Sequence, residues 1–262
     1  MRMRWGRSTS FSETGDLEER NDMNIFRNLF ILGRPAAGKS EFIDYMKKLT
    51  RDERASLFHI GEFEEVDDFP WIWEACTEDD KREARGEARL YSEHTEEGYN
   101  LTVPKFRSSQ MGKFNEAILK RASDENFFKT GTLLIEFARG KDDGFMDSLS
   151  KIDLSILKDA AILYIDVSFE ESYRKNSARY KKDEKGSILF HKVPDKDMYG
   201  FFIENDWKKI TYGKSHGYLS VCGVDVPFVS MPNEPESKDD AVLKERYGSA
   251  LAMLWQLNSG KR

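Results

Sequence analysis

The segment Gly33-Arg34-Pro35-Ala36-Ala37-Gly38-Lys39-Ser40 fits G-x-x-x-x-G-K-[ST] at every fixed position. No other feature limits the available folds as strongly, because this pattern works only where a strand runs into a helix. Its glycines let the backbone turn until several N–H groups point at one anion. A helix starting there adds the positive end of its dipole. The flanking sequence supplies both elements. Leu29-Phe30-Ile31-Leu32 is a short apolar run of the kind found in strands buried on both faces. Residues 38–50 place Phe42, Ile43 and Met46 on one helical face.

The loop is therefore expected to hold the phosphates of a purine nucleoside triphosphate, ATP, together with Mg²⁺. Gly33, Arg34, Pro35, Ala36, Ala37 and Gly38 would wrap the anion. Lys39 would reach the β- and γ-phosphates, and the Ser40 hydroxyl would ligate Mg²⁺. Glu41, next along the helix, completes the expected nucleotide-binding stretch.

Further along, apolar strands alternate with amphipathic helices. Strands are expected over residues 56–60, 132–136, 160–166 and 224–230. Helices are expected from Trp71 onward and over 113–123, 169–180 and 238–257. The charged stretch 77–100 reads as a solvated helix and loop. Alternation of this kind implies βαβ units and a mostly parallel sheet. The expected fold is α/β, one domain over 25–262, with about five parallel strands and helices on both faces. Residues 1–24 are polar and unpatterned and read as a disordered extension.

Composition narrows the partners. The chain has 262 residues, 39% of them hydrophobic, enough for the core of one α/β domain. Its formal net charge of -6 gives no overall electrostatic footprint for nucleic acid. No apolar run approaches the roughly 20 residues of a membrane span. The two cysteines, Cys76 and Cys222, lack metal-site spacing, and the four histidines do not cluster. A reducing, cytoplasmic setting with two ordinary thiols is expected. A homodimer is left open.

Four features in order resemble the P-loop nucleoside and nucleotide kinases, the group that includes thymidylate kinases and deoxynucleoside kinases. The first is the phosphate loop. The second is Leu134-Ile135-Glu136-Phe137-Ala138-Arg139-Gly140, similar to a strand beside the first that ends in an acidic residue and a nearby arginine. The resemblance implies that Glu136 sits near Mg²⁺ and that Arg139 orients the acceptor or a phosphate. In the family's commonest form the two residues are adjacent, whereas here Phe137 and Ala138 intervene. The third is Leu163-Tyr164-Ile165-Asp166-Val167-Ser168-Phe169-Glu170-Glu171, similar to the fourth strand and the helix after it. The fourth is the basic cluster of residues 174–185, where the resemblance implies a kinase-type lid, about 174–205, whose Arg174 and Arg179 approach the transferring group. Five positions separate these two, so they share a site only if the helix ends or bends between them. In such kinases the loop after the last strand passes the adenine, which makes Asn233 and Glu234 base-contact candidates.

On the acceptor side, the resemblance implies a carboxylate after the second strand that takes the proton of an attacking hydroxyl. Glu62, Glu64, Glu65, Asp67 and Asp68 are the candidates, with Glu62 first and Asp67 second. Phe69, Trp71 and Trp73 could stack on a ring or pack a core, and Phe106 and Arg107 are positional candidates only. The expected activity is an ATP- and Mg²⁺-dependent phosphotransfer to a small molecule, a nucleoside, a nucleoside monophosphate or another alcohol. The alternative is a regulatory P-loop NTPase that hydrolyses ATP. No guanine-reading Asn-Lys-x-Asp motif is present.

Overall fold

The computed structural model describes residues 24–179 and 192–260. The extension expected over 1–24 falls outside the described residues except for Asn24. Residues 180–191, the centre of the expected lid and of its basic cluster, also lie outside them.

In chain order the elements begin with β1 (Asn28–Gly33), α1 (Lys39–Lys48), α2 (Arg51–Phe58), β2 (Glu62–Asp67) and α3 (Phe69–Ala84). A hairpin follows, β3 (Ser92–Thr95) and β4 (Gly98–Leu101), then α4 (Phe106–Ser109), α5 (Met111–Ala122) and β5 (Gly131–Phe137). Next come α6 (Phe145–Leu149), α7 (Leu154–Lys158), β6 (Ala160–Asp166) and α8 (Phe169–Arg179). The chain closes with α9 (Asp195–Asp197), a π-helical turn Met198–Phe202, α10 (Trp207–Ile210), β7 (His216–Val221), β8 (Val224–Pro232) and α11 (Asp240–Ser259).

The main sheet has six strands in the order β2-β5-β1-β6-β8-β7. Five run parallel. The sixth, β7, lies antiparallel on β8. The expectation of about five strands missed β7. Cys222 and Gly223, both at positive φ (50° and 83°), join β7 to β8 as a two-residue hairpin turn.

Side chains alternate across β1 with the strand period of two. Leu29 and Ile31 face Phe42, Met46, Phe58, Leu251 and Leu254, so α1, α2 and α11 cover that face. Phe30 and Leu32 face the layer of Phe114, Ile118, Phe145, Leu149 and Trp207 from α5, α6 and α10. Helices thus lie on both faces of an α/β sheet.

The second strand is not where the apolar pattern put it. Residues 56–58 belong to α2, which starts in a capping box. Thr50 Oγ1 accepts from the Glu53 amide at 3.3 Å, and the Glu53 carboxylate accepts from the Thr50 amide at 2.8 Å. His59 then ends the helix in the left-handed region, φ 57°. The acidic run expected as a loop is itself the strand β2. It can be one because it is an edge: Val66 turns into the core while Glu62, Glu64 and Glu65 stay exposed. The charged stretch 77–100 also carries the β3–β4 hairpin. Fully buried Asp79 anchors it, accepting from the amides of Leu90, Tyr91 and Ser92 at 2.8 Å each.

Candidate active site at the carboxyl ends of the strands

The phosphate-loop sequence leaves β1 at Gly33, between β5 and β6. A side chain at Gly33 would collide with the Ile165 carbonyl, 2.8 Å from its Cβ, so the strand spacing itself demands glycine. Ala36 (φ 53°) and Gly38 (φ 112°) take left-handed conformations that reverse the chain. A Cβ on Gly38 would overlap the Asn233 side-chain amide.

Three side-chain donors hold the loop's carbonyls. Ser172 Oγ donates to Pro35 at 2.7 Å, Asn233 Nδ2 to Ala37 at 2.8 Å and Lys39 Nζ to Arg34 at 3.2 Å. No side chain caps α1, so the first-turn amides of a ten-residue helix keep their capacity for an anion. The Lys39 ammonium is buried, 3.8 Å from Glu136 Oε1.

Parallel register brings two carboxylates to this end. Ile31 pairs with Glu136, and Asp67 pairs with Glu136 on the other side. Burial pushes the Glu136 carboxyl above its ordinary range, and Lys39 partly offsets this. The Asp67 carboxyl is pushed up to about 7 by burial and by the neighbouring charges of Glu136 and Asp68. Ser40 is exposed at the start of α1. Its hydroxyl, the Glu136 carboxylate and the first-turn amides are the groups that could hold a Mg²⁺–triphosphate. Mg²⁺ takes few protein ligands and keeps phosphate and water oxygens. Among the described residues no group of three or more His, Cys, Asp or Glu could hold a metal by itself.

Other expected residues are placed differently. Glu62 is at the start of β2, opposite Gly131, and pairs with Arg54 at 3.4 Å. Five residues at about 3.3 Å each put it roughly 16 Å from the strand's site end. Glu62, ranked first as the base, is therefore at the opposite end of β2 from Lys39 and Glu136, whereas Asp67, ranked second, lies at their end. Arg139 is fully buried, its Nη2 against the Met111 sulfur at 2.9 Å. It donates to Asp68 Oδ2, Ser148 Oγ and the Ala138 carbonyl at 2.6, 2.6 and 2.7 Å. In this conformation it is a brace with no face toward a ligand. Arg107 pairs with Asp197 at 3.3 Å, its guanidinium over the rings of Phe201 and Phe202. Phe106 is buried, and Trp71 packs on Phe114. Trp73 lies against Phe69 and Tyr99.

Arg174 is more than half exposed and pairs with Glu171 and Glu236 at 2.6 and 2.7 Å. Arg179 is held by Glu41, at 3.0 Å. Lys175 belongs to the basic cluster read from the sequence but is not singled out there. It is buried, lies 3.4 Å from Glu41 and 3.3 Å from Glu236, and sits 3.7 Å from where a Gly38 Cβ would be. Helical spacing could have found it. Lys175 and Arg179 are four apart and share a face, whereas Arg174 and Arg179 are five apart. Asn233 is equally committed: besides Ala37, it accepts from Arg246 at 2.6 Å and its amide donates to Asp166. It braces the loop, with Nδ2 and Oδ1 both engaged by the protein. Glu234 accepts from the Ser168 amide at 2.9 Å. On this flank a cleft of ≈ 520 Å³ is lined by residues including Arg34, Asp166, Phe169, Asn205 and Lys208.

No family model matches the chain. No curated protein matches it either. Among solved structures, one described as "Crystal structure of APE1195" is similar with a TM-score of 0.41 and 13% identity, over 89% of this chain and 98% of that one. A likeness at that level carries no argument about fold or activity. Both cysteines are free thiols, Cys76 buried and Cys222 exposed. Among the described residues no helix is long and apolar enough to cross a membrane.

Proposed function

We propose that this chain is an ATP- and Mg²⁺-dependent phosphotransferase of the P-loop kinase type, acting on a small molecule. The observation that carries the reading is a juxtaposition. The loop ending in Lys39 lies beside Glu136 on one adjacent strand, and Asp67 stands beside Glu136 on the next. The position of Glu136, on a strand next to β1, is the one the kinase resemblance requires.

In this reading the loop amides and Lys39 bind the β- and γ-phosphates. Ser40 and Glu136 would hold Mg²⁺, which supplies charge neutralisation on the phosphate oxygens. Lys175 and Arg179, lying beside the first turn of α1, would add positive charge near the phosphates. Asp67 accepts the proton of the attacking group. Phosphoryl transfer asks mainly for positioning and charge stabilisation, and this site offers both.

The test is ATP consumption by the purified chain with Mg²⁺, alone and with nucleosides, nucleoside monophosphates and simple alcohols. A phosphorylated product that requires one acceptor establishes the transfer. Steady hydrolysis that no acceptor changes establishes the regulatory NTPase instead.

A further inference from the structure

The cleft of ≈ 520 Å³ at the ends of β6 and β8 has a size that suits a small organic molecule. Of residues 33–40, Arg34 alone lines it. Helix α8 turns different faces to the cleft and to the phosphate loop. Ser172, Lys175 and Arg179 share the face that meets Pro35 and Glu41. At roughly 100° per residue, Glu170, which lines the cleft, lies on the far side of the helix from Arg179. The floor of the cleft is polar. Burial raises the carboxyl of half-buried Asp166, and Lys208 and Arg34 partly offset this. Tyr164 is only 2% exposed, and its hydroxyl accepts from Asn205 Nδ2 at 3.2 Å while keeping its own proton to donate. One wall is apolar, built from Val167, Phe169, Ile203 and Pro232. Glu170 and Glu204 stand exposed at the mouth. The Glu234 carboxylate is taken by the Ser168 amide and hydroxyl, at 2.9 and 3.1 Å. The Arg34 guanidinium donates to the Phe202 carbonyl and lies 6.0 Å from the centre of the Phe169 ring.

We infer that this cleft is a second binding site, for a small organic amine whose ammonium meets Asp166, whose apolar body packs on Phe169 and Ile203, and whose oxygen accepts from Tyr164. An ammonium returns to the Asp166 carboxylate the hydrogen bonding that burial withdraws, through charge-assisted bonds that are stronger than neutral ones. The Phe169 ring offers both apolar surface and a face for a cation. An oxygen on the ligand takes the Tyr164 proton, so that a buried hydroxyl is satisfied on both sides. A metal ion is a poorer complement, since among the described residues no group of three or more His, Cys, Asp or Glu could hold one. An anion would be drawn by Lys208 but would meet Asp166, Glu170 and Glu204 in the same space. The site is separate from the phosphate loop and stands whether or not the chain transfers phosphate.

The probe is phenylethanolamine, with two analogues of nearly the same shape: phenylethanediol, which replaces the ammonium by a neutral hydroxyl, and mandelate, which replaces it by a carboxylate. Each is titrated into the full chain at neutral pH. The readout is the indole N–H signal of Trp207 by NMR, because that ring stacks on Tyr164 at 4.4 Å. Its loss in Trp207→Phe assigns it. The amine should bind at least about tenfold more tightly than the diol, and mandelate more weakly than either. Asp166→Asn keeps the side-chain shape and the backbone carbonyl that accepts from Asn233. In the folded variant the amine and the diol should bind within about twofold of each other. Tyr164→Phe should weaken the amine by about threefold. Equal binding of amine and diol to the unaltered chain, tighter binding of mandelate, or no movement of the Trp207 signal with any probe overturns the inference. So does an undiminished preference in Asp166→Asn or an unchanged affinity in Tyr164→Phe. With Mg²⁺–ATP at saturation the amine affinity should stay within about threefold. Displacement by ATP would make the cleft part of the nucleotide's own site and would overturn its assignment as a second one.

Discussion

Two carboxylates near the phosphate loop, Glu41 and Asp67, are treated oppositely by the fold. Glu41, in the first turn of α1, is also penalised by burial, but Arg179 and Lys175 more than compensate and hold its carboxyl below the usual range. Asp67, at the end of β2, is penalised by burial and has only further carboxylates, Glu136 and Asp68, for close neighbours, with Lys39 a minor counterweight. One flank of the loop is a closed electrostatic network with matched signs. The other keeps an unmatched negative group beside a strand end. A balanced network stabilises a resting conformation, whereas an unmatched carboxylate raises the energy of the empty site and gives it a use for an incoming proton.

Removing the ammonium between the two flanks should have the largest effect. Lys39→Ala should lower phosphoryl transfer by at least about 100-fold, with the circular dichroism spectrum unchanged. Unchanged turnover would end the assignment of the loop. Next, Arg139→Ala leaves Asp68 buried and unpaired, which should cost about 3–5 kcal/mol of unfolding free energy in denaturant titration. Glu62→Gln, at the far end of the same strand, should stay within about 0.5 kcal/mol. If the two variants were equally stable, Arg139 would have no bracing role.

The unmatched flank also predicts a pH dependence in the metal-free protein. The folded-state Asp67 value of about 7 lies above its ordinary 3.8. The folded state therefore holds more proton than the unfolded one between those values. Its contribution is fully present below about pH 4 and is lost as pH rises toward 7. Asp67→Asn should remove that slope from chelator-treated protein in urea titrations across pH, and an unaltered slope would place its origin elsewhere. Half-buried His59, whose value burial lowers, acts in the opposite sense: its contribution is lost as pH falls through its folded value. The smallest effect belongs to the matched flank. Glu41→Gln frees Arg179 and leaves Lys175 with Glu236 alone, but breaks only part-exposed pairs. Stability should change by less than about 1 kcal/mol and ATP affinity should rise by about 2- to 5-fold. Weaker ATP binding would show that Glu41 positions these cations and does not compete for them.

What could be read from the sequence was whatever depends on local pattern. Four buried apolar residues before a Gly-rich turn identified β1, and the spacing of Gly33, Gly38, Lys39 and Ser40 defined the loop. The apolar runs around 132–136 and 160–166 were strands because nothing else buries such residues over so short a length. Two things were decided only by the tertiary structure. An acidic segment became β2 because β5 offers it an edge, and a hydrogen-bonded edge tolerates glutamates on its open side. That shift of a few residues along the chain moved Glu62 away from the site and brought Asp67 into it. The partners of each arginine were equally invisible. Asp68 lies 71 positions from Arg139, and only the folded chain brings the two together. The type of a charged residue is written in the sequence, but whether its charge is spent or available depends on which distant residue the fold sets against it.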